Sequence, residues 1–314
     1  MKQTTFASLS YPSKKMQTRR EKFLAEMDQA VPWAQLIALI EPHYTNKGQR
    51  GRSPMPLQSV LRIYFMQQWY SLSDPAMEDS LYDIESMRRF AGVDLDGVPD
   101  ETTICKFRHF LERHDLPSKL LRVSEHYLSE RGLLLSEGTI VDATIIAASP
   151  STKNQAKSRD PDMKQTKKGN QWFFGMKAHI GTDLNGRVHS VVVTNAAVHD
   201  SVVVDDLLHG EERSIYGDKA YADRSRKAAF EGSGGTWRVN RKARRGCKLN
   251  AADRSFNRKS NRIRARVEHP FGIIKNLWGY RKVRYRGLDK NAHQVFSLFA
   301  LANFYSVRYE LVPT

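Results

Sequence analysis

GTIVDATII, residues 138–146, is an apolar, β-branched stretch interrupted by one carboxylate, Asp142. Such residues fit a pleated, buried surface, so the run predicts a core strand with one acid at its surface edge. Downstream, GMKAHIGTD (175–183) and RVHSVVVTNAA (187–197) alternate well enough to predict a hairpin turning at Leu184–Asn185–Gly186. SVVVDDLLHG (201–210) predicts a helix, RSIYGDKAY (213–221) a strand ending at Gly217–Asp218, ADRSRKAAF (222–230) a helix and TWRVN (236–240) a short strand. A Gly- and Arg-rich loop follows, then a helix over 262–278 that carries Glu268, and an apolar C-terminal helix over 291–306. Residues 147–171 are polar and predict a long loop, with six Lys or Arg against two Asp. The pattern implies a mixed α/β domain over 133–314.

Residues 1–132 predict an all-helical domain. QTRREKFLAEMDQAVPW (17–33) has apolar residues at helical spacing, as does PLQSVLRIYFMQQWYSL (56–72), with a turn over 41–54 between them. Asp74–Pro75 reads as an N-cap and first helical position, with Gly92 as the stop. Another helix opens after Pro99–Asp100. Short helices, tight turns and a basic last member fit a helix-turn-helix relative, or equally a packing and dimerisation module. Lys106, Arg108 and Arg113 are the candidate DNA contacts there.

The chain has 314 residues, 40% of them hydrophobic, a net charge of +16 and a pI near 9.8. An excess this large favours phosphate backbones. No apolar run is long enough to span a bilayer, and nothing reads as a signal peptide. Two distant cysteines, Cys105 and Cys247, imply a reducing compartment without a disulfide framework. The expected location is the cytoplasm, at the nucleoid.

Between Arg238 and Arg266 stand twelve Lys or Arg and one acid, Asp253; Glu268 follows immediately. Arg264 lies four residues before Glu268 and Lys275 seven after, on roughly one helical face, although Pro270 should kink the helix or open its first regular turn. Asp142, Asp218 and Glu268 could together hold divalent ions for in-line phosphoryl transfer, since hard cations take oxygen ligands. Taken singly, Asp142 and Asp218 read as turn or cap residues and Glu268 as an ion-pair partner of Arg264.

The residues are more specific than their spacing. GTIVDATIIAASPSTKN, DPDMKQTKKGNQWFFGMKAHIGTD, HD (199–200), GDKAY (217–221) and IRARVEHPFGIIK (263–275) closely resemble transposases of the insertion sequence 5 family. SKKMQTRREKFL, MPLQSVLRIYFMQQWYSLSDPAMEDSLYDI and DETTICKFRHFLE resemble that family's N-terminal transposase domain. The resemblance spans nearly the whole chain, least clearly 222–258.

It implies an RNase H-like catalytic domain whose acidic triad is Asp142, Asp218 and Glu268, with Mg²⁺, or Mn²⁺ in its place, as cofactor. Arg264 and Lys275 match the Arg and Lys of the wider transposase pattern, whereas Asn261 stands where that pattern has Tyr. The implied reaction is cleavage at the terminal inverted repeats of a mobile element, then attack of the freed 3′-hydroxyl on target DNA, by a homodimer or higher assembly. Arg264, Lys275, Lys177, Arg266, Lys106 and Arg108 are the expected DNA contacts. The pairs Lys177/His179 and His199/Asp200 otherwise read as structural hydrogen bonds or a cap, and Trp172, Trp237 and Trp278 as core or interface residues. Two other readings remain open on sequence alone: a non-mobile nuclease of the same fold, and a DNA-binding regulator whose chemistry is unused.

Overall fold

The computed structural model describes residues 14–44, 54–153, 155, 157–243 and 246–311. Most of the turn predicted over 41–54 lies outside them. Among the described residues, seven α-helices come first: α1 (Arg19–Ala30), α2 (Trp33–Tyr44), α3 (Leu57–Tyr70), α4 (Asp74–Asp83), α5 (Glu85–Ala91), α6 (Glu101–Arg113) and α7 (Leu116–Glu130). Their ends follow local chemistry. Thr18 and Glu21 form a reciprocal capping box on α1. The cap of α4 is Ser73, whose hydroxyl accepts from the Ala76 amide, one residue before the expected Asp74. Asp100 caps α6, and Gly92 ends α5 at φ +68°, a conformation that favours glycine.

A six-stranded sheet follows: β1 (Gly138–Ala147), β2 (Lys164–Lys168), β3 (Gln171–Thr182), β4 (Val188–Asn195), β5 (Ser214–Tyr216) and β6 (Thr236–Trp237). Its order is β2-β3-β1-β5-β6, with β4 also paired to β3. β1 runs antiparallel to β3 and parallel to β5. The expected hairpin therefore forms, with Asp183 accepting the Asn185 and Arg187 amides to shape its turn. The predicted 147–171 loop is corrected in part: residues 164–168 form an edge strand against Gln171–Gly175. Polar composition hid it, because an edge strand with both faces wet needs no apolar alternation.

Residues 201–210 do not form a regular helix but two 3₁₀ turns, Asp200–Val203 and Asp205–Leu207. The strands predicted over 213–221 and 236–240 shrink to three and two residues. Helix α8 (Arg224–Gly232) forms as expected. The region read as loop after 240 contains a helix, α9 (Ala251–Arg264), capped by Asn250. The predicted 262–278 helix is a patchwork: the end of α9, a 3₁₀ turn (Ala265–Val267), α10 (Glu268–Gly272) and a π turn (Ile273–Leu277). Pro270 lacks an amide hydrogen and cannot continue a regular ladder.

The last helix, α11 (Leu288–Leu311), extends beyond the predicted 291–306. It packs on α1, α7, β4 and α10. One hydrophobic cluster accordingly runs from Leu24 and Phe65 through Ile140 and Ile180 to Phe299 and Phe304. The change near residue 132 divides helical from strand-bearing sequence, but the core crosses it.

Candidate active site

Asp142 and Asp218 reach the same end of the sheet by register. Ile140 pairs with Tyr216 on parallel neighbours, and each acid lies two residues further on. Parallel strands are about 4.8 Å apart, so the two positions are neighbours. Gly217 shows why a glycine precedes the second acid: a Cβ there would stand 3.1 Å from Val141 Cγ2 and 3.3 Å from Tyr221 Cβ. Asp218 Oδ1 accepts the Ala220 amide at 2.6 Å and caps the turn Lys219–Tyr221.

Asp142 is more enclosed. Its Oδ1 accepts the Ala143 amide at 2.8 Å, and its Oδ2 lies 3.5 Å from an Arg264 nitrogen. Burial pushes its carboxyl up to about 6, against the pull of the amide and Arg264; the charges of Glu268 and Asp218 push it further up. The three acids therefore share one electrostatic neighbourhood.

The helical patchwork lies against β1. Arg264 reaches Asp142, while Lys275 Nζ donates to Thr144 Oγ1 at 2.8 Å and to the Ile145 carbonyl at 2.9 Å. Asp142 and Thr144, two residues apart, project from one face of the strand. The exposed Glu268 falls between the two cations in sequence and, with Lys275, lines a cleft of about 510 Å³ that also includes Thr144, Phe173 and Arg281. Burial, Lys168 and Arg281 lower the Lys275 pKa, opposed by Glu268. Lys168, from the strand absent in the sequence reading, thus faces the same region.

Other expected contacts separate. Arg266 is exposed and turns to the Leu184 carbonyl, bracing the β3–β4 turn. Lys177, expected as a DNA contact, is half-buried and donates to the Val198 carbonyl at 2.7 Å and to Asp200 at 2.8 Å. His179 is fully buried, bonded to Thr194 and 3.8 Å from Asp200; burial lowers its pKa to about 4, so it is neutral. His199 caps the turn Asp200–Val203.

Arg108, also expected as a DNA contact, is engaged within the protein. It is 7% exposed, paired with Asp74 at 2.9 Å and Glu112 at 3.3 Å, and stacked over Tyr285 at 4.2 Å. It ties α4 and α6 to the segment before α11, whereas Lys106 and Arg113 are exposed. Trp237 and Trp278 are buried, but Trp172 is 67% exposed and is no core residue.

Three further residues stand beside these acids: Asn261, Tyr221 and Asp200. Asn261 Oδ1 accepts from Asn240 at 2.8 Å and from Arg264 at 3.3 Å, so the residue in the usual tyrosine position orients the arginine. The buried Tyr221 hydroxyl has no hydrogen-bond partner, and burial with Asp142, Asp200 and Asp218 holds its pKa far above the phenol range. Asp200 anchors Lys177 near this group. The sequence carries Tyr221 only within the GDKAY string, and Asn261 only as a departure from the transposase pattern, without a partner for either.

Among the described residues, no group of three or more His, Cys, Asp or Glu is arranged to hold a metal ion as it stands. Asp218 caps its own turn and Asp142 faces Arg264. The donor chemistry nonetheless fits a hard divalent cation: carboxylate oxygens only, around a half-buried Asp142 that two further acids act upon.

Residues 134–304 match the family model of the transposase DDE domain, and residues 12–110 match that of a transposase domain. The first match covers more than half of the chain, which therefore belongs to the transposase DDE domain family. It is a DNA transposase of the insertion sequence 4/5-like kind, a polynucleotidyl transferase of an insertion element acting on DNA. A divalent metal is typical of this family. Among the described residues, no helix is long and apolar enough to cross a membrane.

Proposed function

We propose that this transposase belongs to the insertion sequence 5 branch, has an RNase H-like catalytic domain over 133–314, and uses Asp142, Asp218 and Glu268 as its acidic triad. One observation carries the reading: Asp142 and Asp218 occupy equivalent positions beyond paired parallel strands, and the charge of Glu268 acts on the first of them. An antiparallel unit of β4, β3 and β1, continued by parallel β5 and β6, supports the RNase H-like assignment.

The three carboxylates would hold Mg²⁺, or Mn²⁺ in its place. When bound, such ions activate the attacking oxygen and stabilise the leaving oxygen of an in-line phosphoryl transfer. Asp142 and Asp218 bind from the sheet, and Glu268 closes the set from α10. Arg264 pairs with Asp142 at 3.5 Å in the free protein and would turn to a DNA phosphate once a cation takes its place. Lys275, held by Thr144 and the Ile145 carbonyl, presents its charge to the cleft that receives the scissile phosphate. The products are a cut element end at the terminal inverted repeat and its 3′-hydroxyl joined to target DNA. A homodimer or higher assembly, one chain per element end, performs this at the nucleoid. The helical module over 1–132, with Lys106 and Arg113 exposed, reads the ends; Arg266 holds the hairpin turn beside α10.

The test incubates purified protein with labelled element-end DNA and Mg²⁺, beside Glu268→Gln. Metal-dependent nicking and joining by the wild type, lost in the variant with DNA binding retained, is the expected result. Equal cutting by both would remove Glu268 from the triad; binding without cutting by either would favour a regulator.

A further inference from the structure

The ribbon formed by β2 and the start of β3 combines a lysine-rich edge, which discourages edge pairing, with an exposed indole that edge protection does not require. Lys164, Lys167, Lys168 and Trp172 are all exposed, and residues 163–175 contain no Asp or Glu. Trp172 is 67% exposed, whereas the other four tryptophans are buried or partly buried. It stands opposite Lys167 across the ladder, with the ammonium 5.9 Å from the ring centroid. Leaving an indole in water forgoes a large burial gain, so its surroundings point to an occupant that supplies both an aromatic face and negative charge.

The ribbon also has a defined position relative to the chemistry. Phe173, next to Trp172, lines the cleft with Glu268 and Lys275, and Lys168 acts electrostatically on Lys275. Successive strand residues project to opposite faces, so Trp172 and Phe173 address the two sides of one ribbon. Its base is fixed: Asp160 and Asp162 accept the Gly287 and Leu288 amides at 2.7 and 3.1 Å.

We propose that the tip of this ribbon binds unpaired DNA beside the cut site, Trp172 stacking on a base and Lys167, opposite it on the same face, carrying the adjoining phosphate, while Lys164 and Lys168 extend the basic surface on the Phe173 face. Stacking needs a base freed from its duplex, and cutting at the cleft creates strand ends whose terminal pairs open more readily than those of intact duplex; to that extent the inference rests on the proposed function. Base–aromatic stacking is sequence-tolerant, as a site next to both element and target DNA requires.

The test compares binding of a labelled duplex with that of the same duplex bearing a short oligothymidine flap, by fluorescence anisotropy in chelator. The wild type should prefer the flap by about tenfold. Trp172→Ala should lose the preference while keeping duplex affinity, and Trp172→Phe should keep most of it. Lys167→Ala with Lys168→Ala should lower the salt dependence of flap binding. No flap preference in the wild type, or the same preference in Trp172→Ala, would overturn the inference. So would a shift of Trp172→Ala towards monomer in light scattering, which would place a second copy of the chain on the ribbon. Metal-dependent nicking by the same wild-type preparation reads the proposed function separately.

Discussion

Asp142 has one neighbouring arginine and two neighbouring acids, and the proposed cation would bind beside it. Mg²⁺ should raise the thermal midpoint of the wild type, and Asp142→Asn should abolish that rise together with DNA cutting; an equal rise in the variant would place the metal elsewhere. Glu125, on α7, has a carboxyl pushed up to about 8 by burial, with Arg122 pulling the other way. Its folded pKa exceeds the unfolded value, so folded protein binds the extra proton between them and stability falls as pH rises through that window. Glu125→Gln should therefore raise the thermal midpoint at pH 9 and have little effect near pH 4. A uniform effect across pH would show that packing, not ionisation, governs the site.

At the scale of elements, the helices end where side-chain chemistry ends them. Asp100 accepts the Thr103 amide at 2.6 Å, and Asp100→Ala should cost ~1 kcal/mol of unfolding free energy in a denaturant titration. Gly92→Ala should also cost ~1 kcal/mol, through the left-handed backbone and not through a clash, since the nearest atom to the added Cβ would be Ser59 Oγ at 3.8 Å. The patchwork from Arg264 to Leu277 follows another logic. It changes from a 3₁₀ turn to α10 at Glu268 and to a π turn after Gly272, which carries the Lys275 that bonds β1, and π turns recur at functional sites.

Across the whole molecule, α11 joins the two sequence regions. Tyr64 of α3 bonds Ser297 of α11 at 2.8 Å, Gln294 of α11 bonds Gln68 at 3.1 Å, and Asn303 holds the β4 backbone through the Val188 amide and carbonyl. A fragment ending at residue 132 would expose the apolar faces that α11 covers. It should lack a cooperative thermal transition, while the full chain should unfold in one; an independently folding fragment would contradict the shared core.

Much of this was legible in the sequence because it is locally encoded. β-branched 138–146 makes a strand wherever it is buried, Asp100 and Gly92 carry their caps in their own chemistry, and the strings around Asp142, Asp218 and Glu268 led to the family through the identity of residues. Spacing alone left those acids as caps or ion-pair partners. Tertiary structure decided the rest. Arg108 reads as a basic contact until Asp74, Glu112 and Tyr285 enclose it, and Trp172 reads as core until it emerges on a ribbon whose polar strand has no periodicity to announce it. The register of β1 on β5, set by backbone pairing between residues some seventy positions apart, brings Asp142 and Asp218 together. Local sequence determines which segments can form; only packing decides which charges are buried, paired or left facing the cleft.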